Sequence, residues 1–353
     1  MPRATMLDSY SIIVPVLDKR TAILPTLESV QASMAFFEAN HPRACEITAE
    51  IVVVDEGSTD GTLELVQDFA RTHPRLKLVR HQRSLGIGPA RNTGVRASHG
   101  QVLFFCDGDD RFLPEHVFLG FSVLDYSDGA RGSRTIRLRI GDRGHVTFSA
   151  DQPVAALRTG VRLEENLLPF WRAAINNTIV QNLCVRRECH EWGEGFPEEA
   201  VYKRIGGCED VAYNSWLNIF FRVGQLSLET VEYLRYPGNS LDRQLKRFQH
   251  PPGSAHDAAT PEQQALLDIR LRREHERVVY LLDKWKALGP PPLPPRLLNW
   301  DNLADELLVR GRIADACRVA DTCRREGRAL SERLAERIAA ACRADQAMGS
   351  ERP

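Results

Sequence analysis

The sequence predicts an open α/β fold with a parallel sheet in its first third and an all-α region at its end, on three observations. Two apolar runs, Ile51-Val52-Val53-Val54 and Val102-Leu103-Phe104-Phe105-Cys106, are long enough for buried parallel strands and stop abruptly at carboxylates. Amphipathic stretches of helical period separate such runs from one another through residue 125. Beyond residue 260 the strand pattern disappears and helical periodicity continues alone.

Taken in order, Tyr10–Val16 reads as the first strand and Thr21–Glu38 as an amphipathic helix. A strand at 51–54, a helix at Thr62–Thr72, a strand at Leu76–Arg80, a helix at Pro89–Ala97 and a strand at 102–106 complete a Rossmann-like series. In the loop Asp55-Glu56-Gly57-Ser58-Thr59-Asp60-Gly61, the glycines suit turn geometry, and Asp60 can either cap the helix that starts at Thr62 or serve a ligand. Thr135–Ile140 and His145–Ser149 alternate like a half-exposed hairpin around Gly141-Asp142-Arg143-Gly144. A helical segment near Leu163–Asn176, a further segment at Ile179–Val185, a helix at Val211–Phe220 and a strand-like stretch to Tyr236 follow. Residues 251–261, with little to bury, read as a linker, which bounds a catalytic module at 1–250. The remainder, 262–353, reads as helices at Glu262–Leu288, Leu298–Arg310 and Ile313–Glu326, with Pro290–Pro295 as a rigid spacer. The spacing of Trp300, Leu303, Ala304, Leu307 and Leu308 resembles one tetratricopeptide-type hairpin, while a helical cap on the core is the simpler account.

Composition narrows the class. The 353 residues carry a formal net charge of -1, which gives no bulk attraction to nucleic acid or anionic membrane. No apolar stretch approaches the ~20 residues that span a bilayer, and no signal core opens the chain, so a cytoplasmic location is expected. Eight cysteines form no C-x-x-C pair, which favours buried free thiols over a disulfide frame or a zinc site.

The acids carry the chemistry. Asp107, Asp109 and Asp110 lie within four residues and repel one another unless a cation intervenes; hard carboxylate oxygens suit Mg²⁺ or Mn²⁺ carrying a phosphorylated substrate. An Asp-rich turn without a ligand is the plain alternative. A second acidic site stands at Cys208-Glu209-Asp210. Gly86-x-Gly88 imitates a dinucleotide fingerprint, but Arg91 occupies the third glycine position and one ribose-binding acid would not explain three clustered aspartates. A nucleotidyltransferase would want a glycine-rich basic loop after the first strand, where Val14-Pro15-Val16-Leu17-Asp18 stands.

Four blocks in order, Ile12-Ile13-Val14-Pro15, Val52–Thr62, Gly86-Ile87-Gly88-Pro89-Ala90-Arg91-Asn92-Thr93-Gly94 and Phe104-Phe105-Cys106-Asp107-Gly108-Asp109-Asp110, resemble the signature of family 2 inverting glycosyltransferases with the GT-A fold. The resemblance covers residues 10–125 and more thinly 185–245. It implies a nucleotide-sugar donor bound along Pro15, Asp55, Glu56, Asp60, Arg91, Asn92, Asp107, Gly108, Asp109 and Asp110, with UDP the expected nucleotide. Asp55 matches the acid that hydrogen-bonds the base. Asp107 and Asp109 match the D-x-D pair that holds Mg²⁺ or Mn²⁺, and Arg91 and Asn92 match a loop beside the nucleotide. Asp210 matches the general base, next to Glu209; the competing reading is a carboxylate stabilising the first turn of its helix. Trp192 either lines an acceptor pocket or is a packed aromatic. Glu56 stands where the family has Asp or Asn, and Arg83 where it often has Asn. Arg243, Gln244, Lys246 and Arg247 read either as a loop closing over a diphosphate or as a solvated basic segment. The acceptor, whether glycan, lipid, natural product or peptide, is not legible, and a non-catalytic scaffold on a transferase core is the non-enzyme alternative.

Overall fold

A computed structural model of the chain describes residues 6–128, 135–139, 145–149, 153–163, 167, 169–237, 239, 242 and 260–350. Residues 251–259 of the linker expected at 251–261, the basic residues Arg243–Arg247 and the turn Gly141–Gly144 lie outside the described residues, while Thr260 and Pro261 cap and begin a helix.

The strands are β1 (Ser9–Val16), β2 (Thr48–Asp55), β3 (Leu76–Arg80), β4 (Val102–Phe105), β5 (Arg111–Phe112), β6 (Thr135–Arg139), β7 (His145–Ser149), β8 (Ala156–Arg162), β9 (Leu183–Arg186) and β10 (Val223–Glu232). The helices are α1 (Ile23–Asn40), α2 (Thr62–Thr72), α3 (Ile87–Arg96), α4 (His116–Asp128), α5 (Pro169–Thr178) and α6 (Arg187–Trp192). They continue with α7 (Ala200–Ile205), α8 (Glu209–Phe220), α9 (Pro261–Leu288), α10 (Trp300–Val309), α11 (Ile313–Arg325) and α12 (Glu332–Ser350). The main sheet runs β3-β2-β1-β4-β9-β8-β10-β5, and β6 pairs with β7 as a separate antiparallel hairpin.

The first four strands are parallel, as expected, and the later strands make the whole sheet mixed. β3, β2, β1 and β4 are parallel, but β9 runs antiparallel to both β4 and β8, and β5 antiparallel to β10. β8 had no sequence signature for physical reasons. Its Arg158 is buried with its guanidinium bonded to Ile179 O and Asn182 Oδ1, and Gly160 sits mid-strand. A Cβ on Gly160 would lie 2.9 Å from Glu229 N, so the close approach of β10 at its irregular register requires glycine there.

All eight residues of β1 are buried, as a strand covered on both faces requires. Ile12, Val14, Ile51, Val53 and Phe104 enter one hydrophobic cluster with α1 and α4; Ile13, Val52, Val54, Leu103 and Phe105 enter the other. That second cluster also contains Trp216, Phe220 and Phe221 of the α8 region, together with Val278, Leu282, Trp300, Leu303, Val319 and Leu334 of the C-terminal helices. The proline-rich segment therefore holds nothing at a distance. Leu297 O accepts Arg222 N at 2.9 Å, Leu298 forms a β-bridge with Phe221, and Trp285 packs 5.9 Å from Phe220 and 5.8 Å from Trp300. The helices cap one face of the sheet and share its core. One cysteine expectation is also corrected: Cys317 of α11 and Cys342 of α12 form a disulfide, while six cysteines, four of them buried, are free thiols. Among the described residues no helix is long and apolar enough to cross a membrane.

Candidate active site

Parallel registration brings the acids together. Val16 pairs with Asp55 and Ile13 with Phe105, so β1, β2 and β4 release their chains at one edge. The ladder extends one step into the loops through Glu56 N to Val16 O (2.9 Å), Cys106 N to Ile13 O (2.9 Å) and Gly108 N to Pro15 O (3.1 Å). Pro15 thus contributes its carbonyl. Gly108 is required by contact, since a Cβ would stand 2.7 Å from Val16 Cγ2.

Asp55 is fully buried and accepts hydrogen bonds from Gly57 N and Ser58 N, both at 3.2 Å, which leaves acceptor capacity for a further donor. Glu56 accepts from Ser84 Oγ (2.8 Å) and Gly86 N (3.0 Å) and so ties down the loop entering α3. Asp60 accepts from Thr62 N and Arg20 N, both at 2.9 Å, which is the helix-starting role.

The turn after β4 concentrates charge. Asp107 accepts from both Arg91 Nη2 (2.8 Å) and Gln181 Nε2 (2.5 Å). Asp110, fully buried, accepts from the same Gln181 (3.0 Å) and from Leu234 N (3.1 Å). Asp109 pairs with Lys19 at 2.6 Å, and its carbonyl accepts the Tyr236 hydroxyl at 2.6 Å. Burial raises the Asp107 carboxyl, with Arg91 opposing and Asp109 adding to the rise. Burial, then Asp109 and Asp107, hold Asp110 well above the ordinary range.

Across from this turn, Gly206, Gly207 and Cys208 take successive positive φ values of 74°, 142° and 73°. For Cys208 that backbone is strained, and it swings the chain sharply onto the first turn of α8, which begins with Glu209 and Asp210. Glu209 is 5% exposed and pairs with Arg91 Nη1 at 2.7 Å, with its other oxygen buried and unpartnered among the described residues. Asp210 accepts Val211 N at 2.7 Å, and its carboxyl is pushed up to about 7 by burial and by Glu209 beside it. The helix-start and reactive readings of Asp210 thus coexist in one geometry.

Arg91, which the resemblance puts beside the nucleotide, is held by the protein's own acids. It is 2% exposed and bridges Asp107 to Glu209, with the Phe196 ring 5.2 Å away, so it braces the two acidic segments against each other. Asn92 likewise serves the protein itself: it donates to Phe196 O and Glu198 and accepts from Phe196 N. Trp192 is a packed aromatic. Its ring lies 4.8 Å from Phe220 and 6.0 Å from Trp285, with Lys284 Nζ 5.5 Å from it, under α9 and not at the acidic cluster. Sequence reasoning missed Lys19, Gln181 and Tyr236, which come from three distant segments of no motif. Of these only Lys19 gave a signal, a cation three residues beyond the first strand.

Of the five carboxyl groups Asp107, Asp109, Asp110, Glu209 and Asp210, three are at ion-pair distance of a cation among the described residues, Asp107 and Glu209 of Arg91 and Asp109 of Lys19. Among the described residues no group of three His, Cys, Asp or Glu side chains is arranged to hold a metal ion.

Residues 11–125 match the family model "Glycosyl transferase family 2". Dolichyl-phosphate beta-glucosyltransferase ALG5C of Trichomonas vaginalis is 31% identical over 99 residues, 28% of each chain. Glycosyltransferase AglE of Haloferax volcanii is 33% identical over 99 residues, 28% of this chain and 30% of that one. The match therefore spans less than a third of the length of these relatives. The crystal structure of residues 1–349 of TarS from S. aureus aligns with a TM-score of 0.50 at 16% identity, covering 91% of this chain and 92% of that one, and so shares its fold, a GT-A, Rossmann-like core with a helical extension. The order of strands, the acids at their common edge and the family match over 11–125 agree: this segment is similar to glycosyl transferase family 2.

Proposed function

We propose that this protein is a metal-dependent inverting glycosyltransferase that moves a sugar from a nucleoside-diphosphate donor, with UDP the first nucleotide to test, to a hydroxyl or other nucleophile. The observation that carries this reading is the pair of facing acidic segments, 107–110 and 209–210, braced by one buried arginine. Inversion by in-line displacement needs a base on one face of the anomeric carbon and charge compensation for the departing diphosphate on the other, and two segments held apart by Arg91 suit that division.

The donor set fits a divalent cation. Asp107 and Asp109 offer hard oxygens at a turn with more acids than cations, and the Lys19 partner of Asp109 is 30% exposed and free to be displaced. Asp107 and Asp109 would hold the ion, which when bound supplies Lewis-acid stabilisation of charge on the diphosphate. Asp55 accepts a hydrogen bond from the base. Asp210, poised near neutrality, takes the proton of the acceptor, and the free oxygen of Glu209 accepts a hydrogen bond from an acceptor hydroxyl. We place the transferase module at residues 1–250 and give the helices of 262–353 the role of its cap. The acceptor class, glycan, lipid or peptide, is left to a screen.

Calorimetric titration with UDP, GDP and NAD, each with Mn²⁺ and with EDTA, tests the proposal. The expected result is binding of a nucleoside diphosphate that weakens sharply in EDTA; tight NAD binding indifferent to EDTA would overturn it in favour of an oxidoreductase.

A further inference from the structure

A second polar cleft lies at the other end of the sheet. β8 and β10 run parallel, and the acidic cluster is near the carboxyl end of β10, through Leu234 and Tyr236. At their amino ends, Val223, Gln225, Asn299, Asp301, Glu326 and Arg328 are among the residues lining a cleft of about 810 Å³, together with Arg222. It is formed where the start of β10, the first turn of α10 and the turn between α11 and α12 meet.

Its charges are unusual. Arg222 and Arg328 line the same cleft, and burial, then the nearby Arg328, lower the Arg222 guanidinium from its ordinary value. Among the described residues neither guanidinium has a hydrogen bond or an ion pair. Asp301, a carboxylate of the cleft that offsets Arg222, is already accepting Ser331 N at 2.8 Å, which ties the α11–α12 turn to α10. Like charges held together without a partner cost free energy that an oxyanion between them would recover, and guanidinium forks match phosphate and carboxylate oxygens. The N-terminus of α10, a ten-residue helix, faces the same space and adds a positive dipole end. Around the arginines, the amides of Gln225 and Asn299 and the carboxylate of Glu326 are partners for neutral hydroxyls.

We infer that this cleft is a binding site, separate from the donor site, for a phosphorylated or carboxylated saccharide: Arg222 and Arg328 take the oxyanion, while Gln225, Asn299 and Glu326 take ring hydroxyls. The saccharide half of this assignment rests on the glycosyltransferase reading; the oxyanion half rests on the two arginines alone.

Titration of the full chain with glucose 6-phosphate, glucuronate, inorganic phosphate and maltose, followed by calorimetry, tests it. The two charged sugars should bind more tightly than inorganic phosphate, and maltose should bind least. The R222Q/R328Q double variant should weaken the charged sugars at least tenfold and leave UDP–Mn²⁺ binding unchanged, whereas Asp109→Asn should do the reverse. Charged-sugar affinity unchanged in the double variant, or no binding by the wild type at millimolar concentration, would overturn the site. Inorganic phosphate binding as tightly as glucose 6-phosphate would overturn the saccharide assignment. Should the double variant lose its melting transition, R328Q alone, on an inter-helix turn, gives the same reading through a weaker loss, and an R328Q protein that binds all four probes as the wild type does would count against the proposal.

Discussion

Asp210→Asn should raise stability while it abolishes turnover. The carboxyl of Asp210 is shifted from 3.8 to about 7, mainly by burial and then by Glu209, with Arg91 opposing. A folded-state value above the unfolded one means that ionisation opposes folding: the cost is absent below the unfolded value, grows as pH rises from 3.8, and is complete above about 7. Three units would correspond to about 4 kcal/mol as an upper bound, and because the side chain is only partly buried and relaxes, about 1–2 kcal/mol is the expected gain on replacing the acid by its neutral isostere at pH 8. For a chain of this size that is a rise in Tm on the order of 1–3 °C. At pH 5 about a third of the gain should be left, because only the interval from the unfolded value up to pH 5 then counts. The assay is thermal unfolding of wild type and variant in EDTA at pH 5 and pH 8, paired with kcat at saturating donor, which should fall ~10²–10⁴-fold. A fall in Tm at pH 8 with turnover near that of the wild type would refute the reasoning and leave Asp210 as a helix-start residue.

Other consequences follow from the same geometry. For the wild type, kcat/KM should rise with pH through about 7, since the deprotonated carboxylate is the active form; a rate that falls across that interval would contradict base catalysis by Asp210. Asp109→Asn should weaken Mn²⁺ and donor binding together and cost little stability, because its pair with the half-exposed Lys19 is worth about 1 kcal/mol at most; equal affinities in calorimetry would remove Asp109 from the metal. Arg91→Met leaves Asp107 and Glu209 buried without their shared partner and should cost about 3–5 kcal/mol in denaturant titration, unlike an exposed nucleotide contact. Deleting residues 261–353 uncovers Trp192, Phe220 and Phe221 and should cause aggregation in size-exclusion chromatography; a monodisperse, folded core would show that the helices are dispensable.

Much of the first half was legible because parallel strands and their connecting helices carry strong local signals. Helix α2 and strand β3 lie where the periodicity puts them, and the acids at 55, 107, 109 and 110 fall at strand ends. Element type was harder wherever burial is not apolar. The all-buried start of β8 includes Arg158, satisfied by carbonyl and amide partners that only the tertiary structure supplies. Short helices α6 and α7 and the final helix α12 gave no decisive pattern, and the prolines at 290–295 read as a spacer because nothing local tells that Leu297 and Leu298 bond to the strand-entry residues 221–222. In the site, the acids announce themselves but their partners do not. Arg91 looks like a loop residue until its guanidinium is found between Asp107 and Glu209, 118 residues from the latter. Gln181, which serves Asp107 and Asp110 together, belongs to no motif.

The most direct test of the central claim is release of nucleoside diphosphate from a panel of UDP- and GDP-sugars by the full chain, with Mn²⁺, with Mg²⁺ and with EDTA, beside the Asp109→Asn variant. The account predicts hydrolysis of at least one nucleotide sugar that requires the divalent ion and is lost in the variant. Hydrolysis undiminished in EDTA, or equal in wild type and variant, would contradict it.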